Sequence, residues 1–349
     1  MSPEQVPGKE KRLARWRQIG IGSNSAWTTW RKDSYDLMRK YGIDTMDVRM
    51  CNSQKYRLPV GRMFAVNTPD PEINRWVLLE DFRLHDKNAK LTPEYLQKFK
   101  QAVEKNSREA PWVKIWAFTQ EIGGGEKFGL DYDDYIKLQV AFNKAVRAGN
   151  PKSKITESAP CNMRTQGGIK ELDELLTKLN GKIKFDVISI HCYRKRPEET
   201  DLDSDFQALF KMLDRHGYKN TPVICDEGTQ WGPYTIPQWN IKSAFWTPPH
   251  CWYHGTVSYD VGWSEKISAA WRARAWLVAL KYQDRVKCLC QADFINNSEL
   301  DLDLTPRVTQ KIPNTLGRLF GDAAFKQDIR FAPYTRCYIF EDKQQRPVA

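Results

Sequence analysis

The sequence has no uninterrupted apolar run long enough to cross a bilayer. A membrane-spanning helix needs about 18 or more apolar residues, and charged or polar residues interrupt every apolar run of this chain before that length. The N-terminal stretch MSPEQVPGKEKRLARWRQ carries charges where a signal peptide needs an apolar segment. We therefore expect no membrane partner, and a cytoplasmic protein as the sequence stands, or an exported one if a signal segment has been removed from it.

The sequence also has no Cys-x-x-Cys pair among its eight cysteines. Such pairs are a common signature of zinc sites and of redox-active disulfides, so their absence argues against both kinds of site. Cysteines at 192, 225, 288 and 290 lie within or at the ends of apolar, strand-like segments, a setting typical of buried free thiols. This usage favours a reducing compartment, and we expect neither a metal ion nor an organic cofactor.

The positive charge is in excess, but it does not form blocks. The formal net charge is +11, and Lys and Arg alternate with Asp and Glu along most of the chain. Nucleic-acid-binding domains usually combine a basic patch with a recognition motif, and no such motif accompanies the charge here. We therefore expect no nucleic-acid partner, and an acidic glycan explains a basic surface better. The sequence does not indicate the oligomeric state.

Aromatic residues, by contrast, are abundant, with 13 Trp, 14 Tyr and 15 Phe in 349 residues. Their rings pack well against flat apolar faces, such as the C–H faces of sugar rings. A long segment, 228–264, is especially rich in them, and long loops in compact domains are usually functional. The alternative is a small satellite core that folds this loop on itself. The segment contains Trp231, Tyr234, Trp239, Phe245, Trp246, Trp252, Tyr253, Tyr259 and Trp263.

Short β-rich runs alternate with longer amphipathic stretches along residues 1–321, as expected of repeated βα units. Eight such units close into a (β/α)8 TIM barrel, so the pattern predicts an α/β fold of this type. Helices are predicted over 92–107, where Thr92 can cap, and over 134–151, which ends near Gly149. Residues 322–349 alternate like β-strands and form either a closing segment or a truncated accessory β domain. The predicted strands are 17–22, 45–50, 75–82, 112–119, 154–158, 185–191, 222–226 and 286–292.

Two of the predicted strands end in a glutamate that a glycine follows closely. The fourth strand leads into Gln120 and Glu121, and the seventh into Asp226 and Glu227. In a (β/α)8 barrel the chemistry lies at the carboxyl ends of the strands, and strands four and seven face each other across the barrel mouth. Retaining glycosidases need two carboxyls about 5 to 5.5 Å apart. Either glutamate taken alone could instead be a solvated loop carboxylate.

The order of these segments resembles clan A of the glycoside hydrolases, whose acid/base Glu ends strand four after an Asn and whose nucleophile Glu ends strand seven. Residues 16–50 resemble the opening of family 39, the β-xylosidases and α-L-iduronidases. FDVISIHCYR (185–194) resembles the sixth strand of the clan, and 264–294 its seventh helix and eighth strand. The resemblance implies a retaining glycosidase with Glu121 as acid/base and Glu227 as nucleophile.

Further site residues follow from the same positions. Arg49, at the end of the second strand, would donate to Glu227 and keep it ionised; it could also be a solvent-facing arginine. Tyr193 could give Glu227 a second hydrogen bond. His191 could shape the sugar pocket, or be a satisfied core histidine. The remaining predicted substrate-binding residues are Gln120, Trp27, Asn162 and Trp231.

The sequence departs from the clan pattern in two places. Gln120 stands where the clan has Asn; its amide reaches about one methylene further toward the sugar 2-hydroxyl. The Trp that clan members often carry at strand eight is missing. These departures motivate two alternatives, a catalytically inactive glycan-binding barrel and an inverting or transferring enzyme. Asp226 should point away from the site, since side chains alternate along a strand, and Glu157 is either a substrate contact or a support for one.

A cationic run follows the sixth strand, Arg194-Lys195-Arg196. Guanidinium groups suit carboxylate or sulfate through paired hydrogen bonds, which predicts a uronic-acid-containing or sulfated glycan. Glutamates at 198 and 199 could instead neutralise these charges in a solvated loop. Arginines at 57, 62 and 164 follow the second and fifth strands and can reach the same face.

Overall fold

A computed structural model describes part of the chain. The described residues are 20–24, 45–51, 74–80, 91–109, 111, 115–118, 132–157, 159–160, 163, 167–192, 201–227, 261–292, 311–312, 315–316, 319–320, 323–332 and 335–348. For 20–80, 226–227, 261–268 and 288–292 within these ranges the backbone alone is described. The chain divides into two compact units, one made of 45–191 and 205–226, the other of 1–44, 192–204 and 227–349.

The strands of the unit made of 45–191 and 205–226 run parallel. They are β2 (Thr45–Cys51), β3 (Asn74–Glu80), β4 (Ile115–Ala117), β5 (Lys154–Ile155), β6 (Ile188–His191) and β7 (Val223–Glu227), whose last residue belongs to the other unit. Strands β2 to β5 pair in order, all in parallel register, and β6 neighbours β7. All four residues of β6 are buried, as expected of a parallel strand covered on both faces.

The helices of this unit are amphipathic. They are α1 (Pro93–Glu109), α2 (Tyr132–Gly149), α3 (Gly168–Leu179) and α4 (Leu202–Arg215), whose first turn belongs to the other unit. The Thr92 hydroxyl accepts the Tyr95 amide at 3.1 Å and caps α1. Their apolar faces supply fully buried side chains to the core, among them Phe99, Val103, Phe142, Leu172, Phe206 and Leu213.

Helices α1 and α2 come into close backbone contact at Gly149. A Cβ added there would overlap the carbonyl oxygen of Glu104 and would lie 2.9 Å from the Cβ of Ser107. The Ser107 hydroxyl donates to the Val146 carbonyl at 2.8 Å, which ties the two backbones together at the same place. The absent side chain is therefore what allows this crossing.

The other unit contains a parallel strand pair and a small antiparallel sheet. Strand β1 (Gly20–Asn24) pairs in parallel with β8 (Val286–Ala292), which follows helix α5 (Val261–Lys281). Strands β9 (Ala324–Ala332), β10 (Thr335–Glu341) and β11 (Pro347–Val348) form an antiparallel meander. The β-like alternation read in 322–349 thus corresponds to three strands.

These elements match most of the predicted strands and both predicted helices, with boundary shifts of one to three residues. The main difference is β5, predicted over 154–158 but ending at Ile155. Among the described residues no strand ladder joins β5 to β6, so the ring of strands expected of a closed barrel is not seen at this position. The side chain of Glu157 occupies that position instead.

No helix in the described part of the chain is long and apolar enough to span a membrane.

Candidate active site

Both predicted catalytic residues lie outside the described side chains, as do all the predicted substrate-binding residues except His191. Glu227 is the last residue of β7, so its backbone is placed at the carboxyl end of a parallel strand, as predicted. Arg49 lies in β2 with its backbone opposite Leu78 of β3. Five predicted site residues lie outside the described residues altogether, together with Glu121: they are Gln120, Tyr193, Trp231, Trp27 and Asn162. The separation of the two glutamate carboxyls therefore stays a prediction.

The cationic run at 194–196 and the arginines at 57, 62 and 164 also lie outside the described residues. The proposed contact between these cations and an acidic glycan stays a prediction as well. The same holds for the aromatic segment 228–264, of which only 261–264 are described, and there by backbone alone.

The described part of the site is the opening between the carboxyl ends of β5 and β6. From the residue before β6 onward, successive backbone amides donate to opposite neighbours. The Val187 amide donates to the Ile155 carbonyl at 3.4 Å, and the Ile188 amide donates to the Pro222 carbonyl, just before β7, at 2.9 Å. This alternation is the normal pattern of a strand between two parallel neighbours.

Beyond Ile155, the side chain of Glu157 replaces the backbone as the acceptor. The Ser189 amide donates to Oε1 of Glu157 at 2.8 Å, and the Thr156 hydroxyl donates to Oε2 at 3.0 Å. Glu157 is fully buried, and so is Ser189. A buried carboxylate is tolerated when hydrogen bonds satisfy its oxygens. Of the two roles expected for Glu157, full burial favours the support of neighbouring residues over contact with a substrate.

His191 ends β6 and is also fully buried. Its carbonyl accepts the Met163 amide at 2.7 Å, so the loop after β5 returns to β6 at this residue. Full burial of the ring is what the core-histidine alternative predicts, and the pocket-shaping role stays a prediction. The predicted substrate residue Asn162 directly precedes Met163 in the chain.

A polar cluster in the other unit was not recognised from the sequence. Its centre is Asp203, whose side chain is 2% exposed and accepts from the Tyr282 hydroxyl at 2.5 Å and from the Lys281 ammonium at 3.0 Å. Asp328 also contacts Lys281, at 3.3 Å. No local signal reveals such a cluster, because its members come from a helix start, a helix end and a strand far apart in the chain.

In the described part of the chain, no group of three or more His, Cys, Asp or Glu side chains is arranged to hold a metal ion. The described free cysteines are Cys192 and Cys225, which are buried, and Cys337, which is partly exposed.

No protein-family model and no curated protein sequence matches the chain. Solved structures do match. A family 51 α-L-arabinofuranosidase from Bifidobacterium longum is similar at a TM-score of 0.64 and 13% identity, over 94% of this chain and 81% of that one. A psychrophilic glycoside hydrolase family 10 endo-β-1,4-xylanase matches at a TM-score of 0.61 and 11% identity, over 86% of this chain and 97% of that one. The glycoside hydrolase family 53 catalytic domain of Ignisphaera aggregans matches at a TM-score of 0.55 and 15% identity, over 85% of this chain and 95% of that one.

These neighbours are TIM-barrel glycoside hydrolases of clan A. At such identities the likeness concerns the fold, and it supports a (β/α)8 barrel for this chain. The clan-level resemblance drawn from the sequence thus agrees with the structural similarity, whereas family 39 is not among these three neighbours.

Proposed function

We propose that this protein is a retaining glycoside hydrolase of clan A, with a closed (β/α)8 barrel and family 39 as its nearest pattern. The observation that supports it most is the likeness to glycoside hydrolase catalytic domains over most of the chain, combined with Glu227 at the end of β7. In this fold the carboxyl end of a strand is the place where catalytic side chains lie. The sequence-level resemblance to the clan assigns the same residue as nucleophile.

The proposed reaction has two steps. In the first, the Glu227 carboxylate attacks the anomeric carbon while Glu121 donates its proton to the leaving oxygen, and a covalent glycosyl-enzyme forms. In the second, Glu121 removes a proton from water, and that water releases the sugar from Glu227. Each step inverts the anomeric centre, so the product keeps the substrate's configuration. No cofactor takes part.

The proposed sugar-binding residues surround these two carboxyls. Arg49 donates to Glu227 and favours its charged form. Gln120 contacts the sugar 2-hydroxyl, Tyr193 gives Glu227 a second hydrogen bond, and His191 shapes the pocket. Other hydroxyl and ring contacts are assigned to Trp27, Asn162 and Trp231.

The test is turnover of a panel of aryl glycosides and polysaccharides, followed by substitution of each glutamate. Glu227→Ala should abolish turnover, and added azide should restore the release of the aryl group, with glycosyl azide as the product. Glu121→Ala should lose activity most on substrates with poor leaving groups, because those need the acid. Asp226→Asn is the matched control, since it removes the neighbouring carboxylate of the same strand and should leave turnover within about threefold of wild type. Loss of turnover in the control but not in Glu227→Ala would refute the assignment, and glycan binding without turnover would favour the inactive barrel.

The substrate class we propose is an acidic glycan, supported by the cationic run after β6. A paired test uses Arg194→Ala and Arg196→Ala. Each should raise KM for a uronic-acid substrate by about tenfold or more, in line with the loss of a charge-assisted hydrogen bond, and leave neutral aryl glycosides unaffected. Turnover confined to neutral glycosides, unchanged in both variants, would contradict the proposal.

A further inference from the structure

The opening between β5 and β6 contains a buried carboxylate that the proposed reaction does not use. β5 ends at Ile155, and its register with β6 continues for one more step through a side chain. The Val187 amide nitrogen lies 3.4 Å from the Ile155 carbonyl oxygen, to which it donates. Two residues further on each strand, the Ser189 amide meets the Glu157 carboxylate, where a continued ladder would have the Glu157 carbonyl.

We propose that Glu157 is a positioning residue for the sugar site, an inference that rests on the proposed glycosidase function. A carboxylate in the place of a backbone carbonyl keeps β5 about one side-chain length away from β6. Met163, six residues later, is held to the same strand, because its amide donates to the His191 carbonyl. Glu157 and Met163 are thus both tied to β6, at two residues that are two apart.

The consequence for the site follows from what β6 carries. His191, a proposed pocket residue, lies two residues after Ser189 and ends the strand. Glu157 therefore acts on the sugar through the placement of β6 and His191, whereas the proposed nucleophile lies on another strand, β7. Loss of its carboxylate should weaken substrate binding more than it slows the chemical steps.

The choice of a fully buried carboxylate also fits this role. Oε1 accepts from an amide and Oε2 from the Thr156 hydroxyl, so the side chain is held by two donors and has a defined direction. A glutamine keeps the carbonyl acceptor for Ser189, and its amide group can donate to the Thr156 hydroxyl. An alanine keeps neither and leaves the Ser189 amide buried without this acceptor.

The experiment compares Glu157→Ala and Glu157→Gln with wild type in full kinetics and in thermal unfolding. Glu157→Ala should raise KM about tenfold or more, as displaced binding residues do, with kcat lowered less than about threefold. Glu157→Gln should recover most of the wild-type KM. Asp186→Ala is the matched control: the Asp186 carboxylate likewise accepts a backbone amide of the other strand, that of Ile155 in β5 at 2.9 Å, but Asp186 lies before β6 and not at its carboxyl end. It should lower the unfolding temperature with an unchanged KM.

The outcomes separate this inference from the proposed function. A wild-type chain without turnover on any glycoside refutes the function. With an active wild type, an unchanged KM in Glu157→Ala, or an equal KM rise in Asp186→Ala, refutes the positioning role alone. If Glu157→Ala does not fold, Thr156→Val decides, because it removes one of the two donors: a KM rise of about threefold supports the role, and an unchanged KM refutes it.

Discussion

The stability of the unit that contains β9 to β11 should depend on Asp203. Its carboxylate is almost fully buried and lies within 3.0 Å of the Lys281 ammonium, 3.5 Å of Arg330 and 3.6 Å of Arg336. Burial acts to raise the pKa of this carboxyl. The hydrogen bonds from Tyr282 and Lys281, together with nearby positive charge, outweigh that effect and hold the pKa below its usual value.

The perturbation is Asp203→Ala, with Asp203→Asn as the variant that keeps the shape. Removing one partner of a buried ion pair costs about 3 to 5 kcal/mol, because the remaining charge is left buried. Lys281 keeps Asp328 as a partner, so we expect the lower end, about 3 kcal/mol. The asparagine still accepts from Tyr282 and loses the charge alone, so a loss of about 1 to 2 kcal/mol is expected.

The pH dependence gives an independent check on the cause. Since the folded pKa of Asp203 lies below the unfolded value of about 3.9, its stabilisation is fully present above that unfolded value. It is lost as the pH falls through the folded pKa. The difference between wild type and Asp203→Asn should therefore be constant near pH 7 and should shrink below about pH 4.

Urea unfolding at several pH values measures both quantities. Asp284→Asn is the control, since Asp284 is an exposed aspartate two residues after Tyr282, and it should change the free energy of unfolding by less than about 0.5 kcal/mol. A loss below about 1 kcal/mol in Asp203→Ala would refute the reasoning. A difference between wild type and Asp203→Asn that stays the same from pH 7 to pH 3 would refute its electrostatic part.

Two further perturbations test the packing of the other unit. Gly149→Ala places a methyl group against the Glu104 carbonyl, so α1 and α2 must separate, and we expect the free energy of unfolding in urea to fall by about 1 to 3 kcal/mol. Ala148→Ser, at the exposed position before it, is the control and should lower that free energy by less than about 0.5 kcal/mol. Equal losses in both variants would contradict the steric explanation. Asp173 accepts from His216 at 2.6 Å, and this hydrogen bond is the largest cause that lowers the pKa of Asp173. Its stabilisation is present above the unfolded pKa and lost as the pH falls through the folded one. Asp173→Asn should therefore lower the unfolding temperature more at pH 7 than at pH 3, and a pH-independent decrease would rule out this cause.

The amino-acid sequence alone predicts the elements whose signals are local. The runs at 45–50 and 286–292 became β2 and β8, because each places apolar residues within a segment of strand length, too short for a typical helix. The helix over 93–109 follows from a 3.6-residue apolar period and the Thr92 cap. The position of Glu227 at the end of β7 follows from the same reasoning, since the apolar run before it defines where the strand ends.

The tertiary structure decided what depends on partners far apart in the chain. The early end of β5 and the burial of Glu157 follow from the Ser189 amide, 32 residues away, and the burial of Asp203 follows from Lys281, 78 residues away. No local pattern encodes such pairs, because a charged residue next to a strand or helix end looks the same in sequence whether it is solvated or enclosed. Only the folded backbone determines which donors surround a carboxylate, and the free energy of burying it depends on those donors.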